Sequence, residues 1–144
     1  MIVVDTNMIA YLLIPGPHQA AVDAVRKRDD DWRAPPLWQS EFRNVLTLCL
    51  RRKAMTLDVA LDTLALAQEV MAPGETGVNG DLVLACAARL NLTAYDAEFV
   101  VLAEALDLPL VTLDQGILRA CAPRALTPEA YPFSLCAKKS SNCS

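Results

Sequence analysis

The chain has 144 residues, 53% apolar and 21% charged, with 13 Lys and Arg against 17 Asp and Glu for a formal net charge of −4. That length suits one domain with a core of its own; no apolar run reaches the roughly 18–20 residues that span a bilayer, and Asp5 interrupts the opening run too early for a secretory leader, so a soluble, cytoplasmic protein is expected. The acidic balance argues against nucleic-acid binding by bulk electrostatics, though not against binding through metal ions held by clustered acids.

The opening segment, MIVVDTN, sets the pattern for the rest. Ile2, Val3 and Val4 run unbroken into Asp5, as in a strand buried on both faces whose carboxylate emerges at its C-terminal end. Residues 8–14 read as a short helix stopped by Pro15-Gly16-Pro17. His18, the only histidine, leaves no His-based metal site or nucleophile triad to assemble and reads as a loop residue. Residues 19–28 form a helix with Ala21, Val22 and Val25 on one face and Arg26, Lys27 and Arg28 at its end, where cations suit the helix dipole.

A turn at residues 29–31 leads to a short strand over 32–36, whose prolines confine it to an edge or terminus. Ser40 is expected to cap a helix with Phe42, Val45, Leu46, Cys49 and Leu50 as its buried stripe, which puts Glu41 in the first turn and Asn44 beside it. Arg51-Arg52-Lys53 close that helix. Thr56 caps the next, over 57–71, with Leu57, Ala60, Leu61 and Leu64 at helical intervals. The two make a helical hairpin, and one this apolar also suits a dimer or partner surface.

Residues 73–80, rich in glycine, form the most flexible stretch by composition. A helix over 81–90 stops at Asn91, a fair left-handed cap, and Asp81 at its start reads as a capping residue whose carboxylate could also face the other acids. Leu92-Thr93-Ala94-Tyr95 then reads as a second strand ending in Asp96, followed by a helix over 97–106. Leu110-Val111-Thr112-Leu113 makes a third strand ending in Asp114, with Thr112 and Asp114 on one face. A short helix over 115–120 and an edge segment over 124–127 follow, and residues 134–144 are expected to fray. Cys49, Cys86, Cys121, Cys136 and Cys143 form no CxxC pair, so they read as small core fillers and tail thiols.

Each strand-terminal Asp, taken alone, is most simply a helix cap. If the three strands are parallel neighbours, however, the carboxylates gather at the sheet edge where open α/β folds place ligands. There they repel by about 4 kcal/mol per pair at ~4 Å for an effective dielectric of ~20. None has a Lys or Arg beside it in sequence, so a divalent cation is the natural counterion. Oxygen-only ligation suits Mg²⁺ or Mn²⁺ and not zinc, and acidic clusters of this kind serve phosphodiester hydrolysis.

Asp5-Thr6-Asn7, Ser40-Glu41-Phe42-Arg43-Asn44-Val45-Leu46, Tyr95-Asp96-Ala97-Glu98-Phe99 and Thr112-Leu113-Asp114-Gln115-Gly116 fall in the order of the four acidic motifs of PIN-domain ribonucleases, which the chain resembles over residues 1–133. The nearest branch is the VapC toxins of toxin–antitoxin pairs. The resemblance implies a three-layer α/β/α sandwich with a central, mainly parallel β-sheet, and Mg²⁺- or Mn²⁺-dependent endoribonuclease activity. Carried over by motif, Asp5, Glu41, Asp96 and Asp114 are the catalytic and metal-binding acids, with Thr6, Asn44 and Thr112 as supporting polar groups. It also implies a homodimer and a separate VapB-like antitoxin that places a basic side chain among the acids. Arg26, Lys27, Arg28, Arg51, Arg52 and Lys53 are the expected RNA phosphate contacts.

Two other readings compete. A haloacid-type phosphohydrolase also begins with an Asp after its first strand but needs a second Asp where Asn7 stands, and a later Lys that the Asp96 and Asp114 units do not offer. A noncatalytic PIN-fold RNA-binding or assembly module would keep the fold without metal-dependent cleavage.

Overall fold

A computed structural model of the protein describes residues 1–131, so the expected tail lies outside the described residues. Ile2–Val4 forms β1, fully buried, as branched apolar residues on both faces of a central parallel strand require. It pairs on one side with β2 (Trp32–Arg33) and on the other with β3 (Leu110–Val111), and β4 (Ala125–Leu126) lies beyond β3. All three pairings are parallel, with Ile2 opposite Trp32, Val3 opposite Leu110, and Val111 opposite Leu126.

Helices α1 (Thr6–Leu13) and α2 (Gln19–Arg28) carry the chain from β1 to β2. Helices α3 (Leu37–Arg51), α4 (Leu57–Met71), α5 (Gly80–Leu90) and α6 (Ala94–Leu106) return it past β1 to β3, and α7 (Gln115–Cys121) leads to β4. Helix α1 packs with α2, α3 and α4, whereas α6 packs on β1, β3 and α7, so the long connection from β2 to β3 contributes helices to both groups. The result is the expected α/β/α sandwich. Trp38, Phe42, Phe99, Met8, Ile9 and Met71 are among its largest fully buried side chains. No helix among the described residues is long and apolar enough to cross a membrane.

The edge position of β2, the caps of α4 and α5's end, and the hairpin of α3 with α4 follow the sequence. Four expectations are corrected. The strand expected over 92–95 is absent. Asn91 ends α5 in the left-handed region (φ 53°), and the Thr93 hydroxyl then accepts the Asp96 amide at 3.1 Å to cap α6. The Thr-x-x-Asp pattern is a helix-start signal, and this local capping outweighs the short apolar run. Helix α3 begins at Leu37, behind Pro36, so Ser40 lies inside it and Glu41 in its second turn.

In α4 the inward face is Ala60, Ala67 and Met71, with Leu64 half-buried, while Leu57 (60%) and Leu61 (54%) stay exposed. Small residues at 60 and 67 let α4 lie close to α1 and α3 and turn its leucines outward. Asp81 does not cap α5; the Asn79 carboxamide oxygen does, accepting the amides of Asp81 and Leu82.

The glycine-rich stretch after α4 is likewise tied down. The Gly74 carbonyl accepts the Ala34 amide at 3.3 Å, and the Thr76 amide donates to the Ala34 carbonyl at 3.0 Å, which prolongs the sheet edge. A Cβ on Gly74 would stand 1.8 Å from the Trp32 carbonyl oxygen, a backbone atom that cannot yield. Gly74→Ala should therefore cost about 2–3 kcal/mol, seen as a lower urea midpoint at unchanged slope. Gly77→Ala should be neutral or slightly stabilising, since nothing lies within 4 Å of its added methyl.

Candidate active site

A cavity of about 390 Å³ opens where β1 and β3 end, and Asp5, Glu41, Asp96 and Asp114 all line it. Adjacent strands supply the first and last of these acids, since the chain leaves β1 toward one edge and later returns on its other side. Such a switch point leaves a crevice beyond the carboxyl ends of the strands. Glu41 comes from α3, whose Leu37, Ser40, Glu41 and Asn44 recur at the three- and four-residue steps that keep one helical face toward the cavity. Asp96 comes from the first turn of α6, a helix start and not the expected strand end.

Asp5 and Asp114 are both caps and cavity acids, because capping occupies one oxygen of each. Asp5 Oδ1 accepts the Met8 amide at 3.1 Å, and Asp114 Oδ1 accepts the Ile117 amide at 2.8 Å. The second Asp5 oxygen accepts the hydroxyl of Thr112, which is wholly buried and in turn accepts the Asp114 amide at 2.9 Å. One hydroxyl thus joins the two strand-end acids. Thr6 does the same for α3, donating to Glu41 Oε1 at 2.8 Å. Asn44, expected to steady Glu41, lines the cavity, while the hydrogen bond to Glu41 comes from Thr6.

Burial pushes Asp5 up from 3.8 to about 6, against the pull of the Thr112 and Met8 hydrogen bonds and with added repulsion from Asp114 and Glu41. Burial also raises Glu41, opposed by Thr6 and reinforced by Asp96. Asp96 is raised by burial and then by the like charge of Asp114. Glu98, farther along α6, is raised by burial and by Glu41. Among the described residues none lining the cavity is basic. The acids therefore feel one another without an internal counter-charge, which a cation would supply.

The donors suit a hard cation. Carboxylates, threonine hydroxyls and asparagine amides are oxygen donors, whereas His18 stacks against Tyr11 at 4.7 Å and Cys121 lines a different cavity. Among the described residues no three acidic, imidazole or thiol groups close into a ready-made cage. A site that offers a few carboxylates and leaves room for waters fits Mg²⁺ or Mn²⁺, which dehydrate reluctantly.

The basic clusters lie elsewhere. Arg26, Lys27 and Arg28 end α2, which feeds the N-terminal end of β2, so they sit at the sheet edge opposite the acids. Arg26 donates to the Asp30 carbonyl at 2.7 Å and lies over the Trp32 ring. Arg51, Arg52 and Lys53 stand at the far end of α3 from Glu41. Arg43, which does not line the cavity, donates from its guanidinium to the hydroxyl of Ser40, which does, at 3.1 Å. Sequence reading did not single it out as functional, although its place three residues after a cavity-lining Ser is a helical-neighbour signal. Tyr95 was missed for another reason: a strand assignment put it in the sheet, whereas it stands on the cavity wall.

The family model described as PIN domain matches residues 2–123. Among solved structures, a protein from Pyrobaculum aerophilum superposes with a TM-score of 0.69 at 25% identity, covering 94% of this chain and 96% of that one. A toxin–antitoxin complex from Klebsiella pneumoniae gives 0.66 at 15% identity over 89% and 98% of the two chains. FitAcB from Neisseria gonorrhoeae gives 0.66 at 21% over 89% and 98%. At these last two identities the likeness is one of fold. No curated protein matches the sequence.

Proposed function

Because this chain belongs to the PIN domain family, we propose that it is a metal-dependent endoribonuclease and the toxin of a VapBC-type toxin–antitoxin pair. The observation that carries this reading is the ring of four carboxylates at one cavity, drawn from β1's end, α3, α6 and α7's cap, with no basic side chain among its lining residues. Asp5, Glu41, Asp96 and Asp114 would hold Mg²⁺ or Mn²⁺, which when bound supplies a water of lowered pKa and offsets charge on the phosphate and leaving oxygens.

The chain's own groups prepare that site. Thr112 and Thr6 fix the Asp5 and Glu41 carboxylates. The low-dielectric floor beneath Asp5 strengthens every charge interaction made there. Hydrolysis forms a bond from water oxygen to phosphorus and breaks the phosphorus bond to the leaving oxygen. Glu41, half-buried and with its pKa raised by burial, would take the proton the water loses.

A first contact with RNA would fall to Arg43, which is bonded to the cavity-lining Ser40. Arg43→Gln should weaken RNA binding and reduce the slope of log affinity against log salt by about one. Neutralising the clusters at 26–28 or 51–53 should act only on RNA long enough to reach past the cavity. A slope unchanged by Arg43→Gln would remove it from the interface.

The partner half of the proposal draws on the Klebsiella pneumoniae neighbour, whose name records a toxin–antitoxin complex. In this chain the exposed Leu57, Val59, Leu61 and Leu66 of α4 and Leu82 and Leu84 of α5 offer apolar surface for an antitoxin and for a second copy of the chain. The test of the function is cleavage of a mixed cellular RNA pool by metal-stripped protein, with Mg²⁺ or Mn²⁺ added back. Discrete products that need the added metal are expected. Folded, antitoxin-free protein that yields none would refute the nuclease.

A further inference from the structure

Beside the acids, the cavity has a wall of a different chemistry. Tyr95, in the first turn of α6, lines it with its side chain 65% exposed, next in sequence to Asp96. Across from α6, the face of α3 brings the exposed Asn44 to the same cavity, and Asn7, also exposed, lines it beside Asp5. An aromatic face left in water gains nothing for the fold, since its apolar area is not buried. Carboxamides at a rim present both donors and acceptors. A flat π-surface with amides nearby is the set of groups that proteins use to stack an unpaired nucleobase and read its edge.

We propose that Tyr95 is a substrate-positioning residue that stacks one unpaired base of the RNA beside the scissile phosphate. The inference rests on the nuclease reading and adds to it the side chain that holds a base next to the cleaved bond. A base inside a helix has both faces covered by its neighbours and offers none to Tyr95. The cavity's roughly 390 Å³ lies at the small end of ligand sites, room for a nucleotide that has left its stack. Because Tyr95 and Asp96 line the same cavity, a base held on the Tyr95 ring would bring the neighbouring phosphate toward the acids. A protein partner seated on the same ring would instead close the cavity, which suits inhibition but not a surface open in the free chain.

The test measures binding without turnover. Fluorescently labelled short single-stranded RNA of randomised sequence is titrated with full-length Asp96→Asn protein in Mg²⁺. The same titration is run with Tyr95→Ala, Tyr95→Phe and Tyr95→Leu added, and with a probe of abasic residues. Stacking predicts that Tyr95→Ala and Tyr95→Leu lose about tenfold in affinity while Tyr95→Phe stays within about twofold. On the abasic probe, where no base can stack, the same substitutions should change nothing.

Equal binding by Tyr95→Ala, or an equal loss on the abasic probe, overturns the inference and leaves the nuclease standing. A changed oligomeric state of Tyr95→Ala with unchanged RNA affinity also overturns it and assigns the ring to a protein interface. Failure of the Tyr95-intact protein to bind either probe counts against RNA as the substrate itself. Tyr95 is exposed, so its variants should fold, and equal melting temperatures check that they do.

Discussion

Asp5→Asn and Asp96→Asn should each abolish RNA cleavage, lowering the rate by about a thousandfold or more, while the protein stays folded. A metal that polarises phosphate and water is worth several kcal/mol of transition-state stabilisation, and each ~1.4 kcal/mol is a decade in rate. Asparagine keeps the shape and one carbonyl oxygen of aspartate but loses the charge that would hold the cation. In Asp5→Asn that oxygen can still accept the Met8 amide and cap α1. In Asp96→Asn the backbone amide still donates to Thr93, so the start of α6 is unaffected. Thr112→Val separates positioning from ligation: it removes the hydroxyl joining Asp5 to the Asp114 amide, so metal affinity should weaken with cleavage restored at high Mg²⁺. Gel-resolved cleavage across a Mg²⁺ titration up to saturation, with circular dichroism for folding, measures all three. Wild-type cleavage rates in both asparagine variants would show that the observed cleavage does not pass through these acids and would overturn the site assignment.

The second large effect is on stability against pH in metal-free protein. Asp5 holds its proton more tightly folded, at about 6, than at its ordinary 3.8. Its contribution is thus fully present below about pH 4 and is lost as pH rises through 6. The shift corresponds to about 3 kcal/mol at ~1.36 kcal/mol per unit. Glu41 and Asp96 are shifted in the same direction and add to the slope.

Metal-free wild type should therefore become more stable relative to Asp5→Asn as pH falls from 7.5 to 4.5. The Thr112 hydroxyl loses its carboxylate acceptor in Asp5→Asn, but that cost is independent of pH and drops out of the slope. Added Mg²⁺ should reverse the trend, stabilising wild type strongly at pH 7.5 and weakly near pH 5, because the ligands must be deprotonated. Urea midpoints across pH measure this. Parallel profiles for wild type and Asp5→Asn would show that Asp5 ionises freely in the folded chain.

Much of the fold was legible because its signals are short-range. Pro35 and Pro36 confine β2 to an edge, Thr56 caps α4 through a bond to the amide three residues on, and Asn91 ends α5 in a left-handed turn. Each is a side chain or backbone angle acting within a few residues. The strand expected at 92–95 failed because four apolar or β-prone residues fit a strand or a helix start equally well. The deciding feature was the cap at Thr93. In α4, period alone cannot say which of two overlapping apolar stripes turns inward, and close packing on α1 and α3 selected the one with alanines.

The sequence by itself determined which acids stand at helix starts and strand ends, since Asp5 and Asp114 follow apolar strand residues and their carboxylates cap the helices that begin there. It also determined the central strand, whose unbroken branched residues suit nothing but burial on both faces. Only the tertiary structure decided what those acids meet. The order β2-β1-β3-β4 sets β1 beside β3 although more than a hundred residues separate Asp5 from Asp114. It lets Thr112 and Thr6 reach across to Asp5 and Glu41, brings Tyr95 to the cavity, and leaves Arg26, Lys27 and Arg28 at the opposite edge. The reason is the direction of the parallel sheet: all strands point the same way, so whatever follows a strand gathers at one edge and whatever precedes it at the other, which no local pattern reveals.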